Sequence, residues 1–85
     1  MFQVVLSKPA VKALRAMPRN VSANIMERLG RLAVDPGARD PQVTKLVNRP
    51  ELRLRVGSYR VLYSVDEARQ VIDVKVIRPR GSAYR

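Results

Sequence analysis

The sequence predicts an α+β fold of two layers, an antiparallel sheet packed on a helix pair, with elements in the order β-α-α-β-β-β. Three observations carry this. Apolar residues recur every three or four positions between residues 8 and 34, the spacing of a helix face. From Leu52 onward the period drops to two, the spacing of strands. A short run rich in β-branched residues precedes both. At 85 residues the chain makes one small domain, residues 1–85.

Residues 2–6 (FQVVL) read as a strand. Ser7 offers an oxygen to cap a helix, and Pro9 falls in its first turn, where a missing N–H costs little. Val11, Leu14 and Met17 give that helix an apolar stripe expected in the core, and Pro18 ends it. Val21, Ile25, Leu29 and Leu32 define a second helix starting at Pro18 or Arg19, which Asp35-Pro36-Gly37 stops. Residues 35–50 hold three prolines and a glycine and read as a surface loop, with Lys45-Leu46-Val47 a short ordered piece.

Leu52, Leu54 and Val56 then share one face of a strand, and Arg53 and Arg55 take the other. Gly57-Ser58 reads as a type II′ hairpin turn, because the glycine comes first. Tyr59, Val61, Tyr63 and Val65 continue the apolar face. A second turn centred on Glu67-Ala68 leads into a strand over residues 70–77, with Ile72, Val74 and Val76 toward the core. The first strand lies at one edge of this meander or beside it.

These turns set a register. Arg55 falls opposite Arg60, and Arg60 opposite Lys75, with Arg53 beside the row and Asp73 as its one acid. Like charges directly opposite one another destabilise a strand pair. A solvated face tolerates charge but ordinarily mixes the signs, so this one points to an anionic ligand.

Composition points the same way. Seventeen Lys+Arg against seven Asp+Glu leave a net charge of +10, and thirteen of the seventeen are arginine. The arginine fork suits phosphate, so RNA, DNA or an acidic protein is the expected partner. With no cysteine there is neither a disulfide nor a thiolate metal site. With no histidine the commonest general base and metal ligand are gone. The acids are scattered, and no metal or cofactor is expected. The first apolar run is too short for a signal peptide or a membrane span, so the expectation is a cytoplasmic protein with no membrane partner.

The tail, RPRGSAYR over residues 78–85, adds Arg78, Arg80 and Arg85 around Tyr84. A tyrosine among arginines stacks on a base, transfers a proton once its phenolate is stabilised, or simply pins the tail to the sheet edge.

Taken together, the early strand and two helices, Lys45-Leu46, the run LRLRVGSYRVLY and the tail RPRGSAYR resemble the RelE/ParE superfamily of bacterial toxin–antitoxin toxins over nearly the whole chain. The resemblance implies a RelE-like fold. In the RelE branch it implies an endoribonuclease, an mRNA interferase acting in the A site of the 70S ribosome. There a ribose 2′-hydroxyl attacks the adjacent phosphate without metal. Carried over, the resemblance makes Tyr84 the base. Arg60, with Arg78 or Arg80, stabilises the phosphorane, while Arg53 and Arg55 hold the mRNA backbone, and Lys45, Lys75 and Arg85 extend the RNA-binding surface. Some members have lysines where Arg53 and Arg55 stand, and arginine is a poor proton donor or acceptor near neutral pH. The resemblance also implies a cognate antitoxin. ParE-like members share the fold and poison DNA gyrase instead, which is the alternative reading. A third is a degenerate relative that only binds its antitoxin or RNA.

Overall fold

A computed structural model describes residues 1–79 of the chain. Strand β1 (Gln3–Leu6) leads into helices α1 (Lys8–Ala16) and α2 (Arg19–Val34). Strands β2 (Val43–Lys45), β3 (Leu52–Val56), β4 (Tyr59–Asp66) and β5 (Val71–Pro79) follow. The sheet order is β1-β5-β4-β3-β2. The antiparallel meander is the expected one, with two additions. The ordered piece at Lys45 becomes the tail of an edge strand on β3, and β1 joins β5 in parallel, so the sheet is mixed.

Both helices cover one face. Ala10, Met17, Ile25, Leu29 and Leu32 meet Leu54, Val56, Val61, Tyr63, Ile72, Val74 and Ile77 in one buried core. Full burial of each larger side chain contributes about 1.5–3 kcal/mol. The stripe expected on α1 is corrected at one position. Ala10, Ala13, Leu14 and Met17 face the sheet, whereas Val11 lies in a shallow cleft with Leu6, Lys8, Lys12 and Arg15.

The first hairpin has the expected register: Leu54 opposite Val61, Arg55 opposite Arg60, and Val56 opposite Tyr59. Gly57 carries a φ of +56° while Ser58 does not share the positive φ, as a II′ turn requires.

The second hairpin departs from expectation twice. Asp66 Oδ1 accepts a hydrogen bond from the Arg69 N–H at 3.0 Å, and Gln70 takes a φ of +56°. The connection therefore holds four residues rather than two, and Asp66 pairs with Val71. Then Tyr63 pairs with Val74 but Leu62 with Val76, leaving Lys75 as the extra residue of a β-bulge. The two shifts put Arg78, not Lys75, opposite Arg60. The bulge alone, adding one residue, also exchanges the faces beyond it, so that Ile77 is buried and Val76, expected in the core, is turned outward.

Candidate nucleic-acid interface

The face of the sheet away from the helices carries the side chains that alternate with the core residues of β3 and β4. Arg53 and Arg55 are there because Leu52, Leu54 and Val56 point inward, and Arg60 because Val61 does. Arg78 reaches the same face through the bulge. A row of cations thus runs Arg55, Arg60, Arg78 across three strands, each opposite the next.

Two adjoining depressions occupy this face. One, of about 360 Å³, is walled by Arg49, Arg53, Arg60 and Arg78 over a floor of Leu46, Leu62 and Val76. The other, of about 220 Å³, is more polar and is lined by Arg53, Arg55 and Arg60 with Pro41, Gln42 and Thr44. Arg53 and Arg60 line both, so the two depressions flank the same two side chains and together make one grooved basic surface.

Among the described residues, part of the charge in this groove is paired from within. Arg49 Nε donates to Glu51 Oε1 at 3.1 Å. Among the described residues no ion pair ties Arg53, Arg55 or Arg78 to an acid. Four guanidinium groups around a partly apolar floor offer donors to phosphate oxygens and an apolar platform to a base ring.

Not every expected residue joins the groove. Lys75 is exposed on the outer side of the bulge, but its ammonium donates to Asp73 Oδ2 at 3.0 Å and lines neither depression. Lys45 stands opposite Leu52, on the register of the core-facing residues. Arg80, Tyr84 and Arg85 lie outside the described residues. Sequence reasoning missed Arg49 and the apolar floor. Arg49 sits in the proline-containing connection between β2 and β3 with no periodicity to flag it, and Leu62 and Val76 read as ordinary strand residues. The bond from the Leu46 N–H to the Glu51 carbonyl (3.4 Å) and the positive φ of Asn48 (58°) close that connection as a hairpin between β2 and β3.

No helix among the described residues is long and apolar enough to cross a membrane. No three acidic side chains come together there as a metal site would require.

Comparison with known proteins gives a consistent picture. A family model described as the ParE toxin of the type II toxin–antitoxin system parDE matches residues 4–84. Among solved structures, the archaeal RelE–RelB complex from Pyrococcus horikoshii OT3 contains a chain 33% identical to this one. The match covers 94% of this chain and 96% of that one, at a TM-score of 0.81. The isolated E. coli RelE toxin matches with 17% identity, 99% and 92% coverage and a TM-score of 0.79. The RelB–RelE antitoxin–toxin complex from Methanococcus jannaschii matches with 22% identity, 94% coverage of both chains and a TM-score of 0.75. These last two show the shared fold. No curated protein sequence matches.

Proposed function

Since this chain belongs to the ParE toxin family of type II toxin–antitoxin systems, within the RelE/ParE superfamily, we propose that it acts as a ribosome-dependent mRNA endoribonuclease. The observation that carries this reading is the groove on the outer face, where Arg49, Arg53, Arg60 and Arg78 surround an apolar floor. Arg53 and Arg55 bind the phosphates flanking the scissile bond, and a base rests against Leu62 and Val76. Lys45 and Lys75 stand apart from the groove and contribute only to its long-range field.

The reaction is a transesterification. The ribose 2′-oxygen forms a bond to phosphorus and the P–O5′ bond breaks, leaving a 2′,3′-cyclic phosphate and a 5′-hydroxyl. Tyr84, as its phenolate, takes the 2′-hydroxyl proton, and the departing O5′ takes a proton from solvent water. Arg60, with Arg78 or Arg80, meets the charge that builds on the phosphorane oxygens, where fixed donors are most effective. Arg85 adds its charge to RNA binding.

A cognate antitoxin follows from the same family. The comparison structures include toxins seated with their antitoxins, and an acidic segment of that partner would cover the exposed arginines and dock quickly by charge complementarity.

The second reading is a gyrase poison, favoured by the family model being that of ParE. Incubation with programmed 70S ribosomes and a defined mRNA, with a gyrase supercoiling assay in parallel, separates the two. Cuts within the A-site codon support the nuclease. Intact message together with inhibited supercoiling overturns it.

A further inference from the structure

Ser7 lies at the junction of β1 and α1, outside the arginine groove. Its Oγ accepts from the Ala10 N–H at 3.1 Å, capping α1. The same hydroxyl donates to the carbonyl of Lys75 at 2.6 Å, and the Ser7 N–H donates to the carbonyl of Val74 at 3.0 Å. Successive carbonyls of a regular strand point to opposite edges. Here two consecutive ones are received by one residue on the same edge, which is the local disruption a bulge produces.

The position is decisive. The parallel ladder between β1 and β5 ends at Leu6 opposite Val74, one residue before the bulge. Without the extra residue, strict alternation from Ile72 and Val74 would send Val76 and Arg78 to the helix side. With it, Ile77 is buried and Arg78 stands opposite Arg60 on the outer face.

We propose that Ser7 is a positioning residue for the arginine groove: by holding the Lys75 carbonyl it fixes the bulge that carries Arg78 to its place beside Arg60. Its bearing on RNA cleavage rests on the nuclease reading above; its bearing on the register does not. The hydroxyl serves as acceptor to the helix and donor to the bulge at once, and substitutions separate these roles. Threonine keeps both. An ionised aspartate caps a helix as well as serine does but has no proton to give to a carbonyl.

The test compares wild type, Ser7→Thr and Ser7→Asp in single-turnover cleavage of ribosome-bound mRNA. Thermal melting and backbone NMR are recorded on the same samples. Ser7→Thr should cleave at close to the wild-type rate. Ser7→Asp should melt as a folded protein yet cleave roughly 10- to 100-fold more slowly, the scale of a displaced catalytic group, and should lose the cross-strand NOEs between Arg60 and Arg78. A folded Ser7→Asp variant with wild-type cleavage and those NOEs intact overturns the inference. If the wild type itself leaves mRNA uncut, the nuclease reading fails, and the NOEs alone decide: lost in Ser7→Asp and kept in Ser7→Thr, they support the positioning role; kept in both, they refute it.

Discussion

Arg60 and Arg78 stand directly opposite one another on β4 and β5, two cations brought together by the extra residue at Lys75. Like charges so placed weaken the strand pair that carries them. The surrounding packing holds the pair in place: Val61 and Ile77, the neighbours of Arg60 and Arg78 along each strand, are both buried. The fold thus accepts a local cost on its outer face while its inner face secures the register.

That register has a direct energetic signature. Ile77 is buried in the core and Val76 lines the outer groove, so truncating each to alanine should have unequal effects. Ile77→Ala should lower stability by about 2–5 kcal/mol in denaturant unfolding, the range for buried isoleucine. Val76→Ala should cost about 1 kcal/mol or less, since fewer of its contacts are enclosed. Equal losses, or the reverse order, would place the bulge elsewhere.

Tyr63 is fully buried, and its hydroxyl has no hydrogen-bond partner among the described residues. An unsatisfied buried hydroxyl is costly, so Tyr63→Phe should raise stability at neutral pH by about 1 kcal/mol. Burial, assisted by the nearby Asp40 charge, pushes the Tyr63 phenol up from 10.0 to about 12. The folded state therefore holds this proton more tightly than the unfolded chain. The stability linked to it is complete below pH 10 and is lost as pH rises through about 12. Wild type should weaken steeply across that interval and Tyr63→Phe less so, a difference read by comparing melting temperatures along an alkaline series.

Asp40 titrates in the opposite sense. The Gln42 N–H at 2.9 Å and the Arg28 guanidinium at 2.7 Å both favour its ionised form and hold its carboxyl below the ordinary 3.8. The stability linked to Asp40 is present above that value and fades as pH falls below it. Asp40→Asn, which loosens the loop before β2 from α2, should melt below wild type at neutral pH. The gap should close once the solution is acidic enough to protonate Asp40 in the folded state. A gap that stayed constant down through acid would mean that the ion pair to Arg28 carries no charge-dependent stability.

Much of this was legible in the sequence because the decisive contacts are local. Ser7 before a helix, Gly57 first in a two-residue turn, and the alternation of Arg53 and Arg55 with Leu52, Leu54 and Val56 each determine structure over a few residues, and each stands as read. What escaped depends on pairing between distant segments. No residue type marks Lys75 as a bulge; its carbonyl is held by Ser7, sixty-eight positions away. The longer turn at Glu67 to Gln70 turns on an Asp66 side-chain bond that competes with a two-residue hairpin. Arg49 joins the groove through the fold of an aperiodic connection, and Val11 lies outside the core while the adjacent Ala10 is fully buried in it.

Whether the row Arg55, Arg60, Arg78 forms the phosphate site is tested most directly by single-turnover cleavage of ribosome-bound mRNA by Arg60→Ala, Arg78→Ala and Lys75→Ala. Loss of a donor to the transition state should slow Arg60→Ala and Arg78→Ala by roughly 10²–10³-fold, while Lys75→Ala, whose ammonium is held by Asp73, stays within about threefold of wild type. Full activity in both arginine variants, or a loss in Lys75→Ala as large as in Arg78→Ala, would contradict the account.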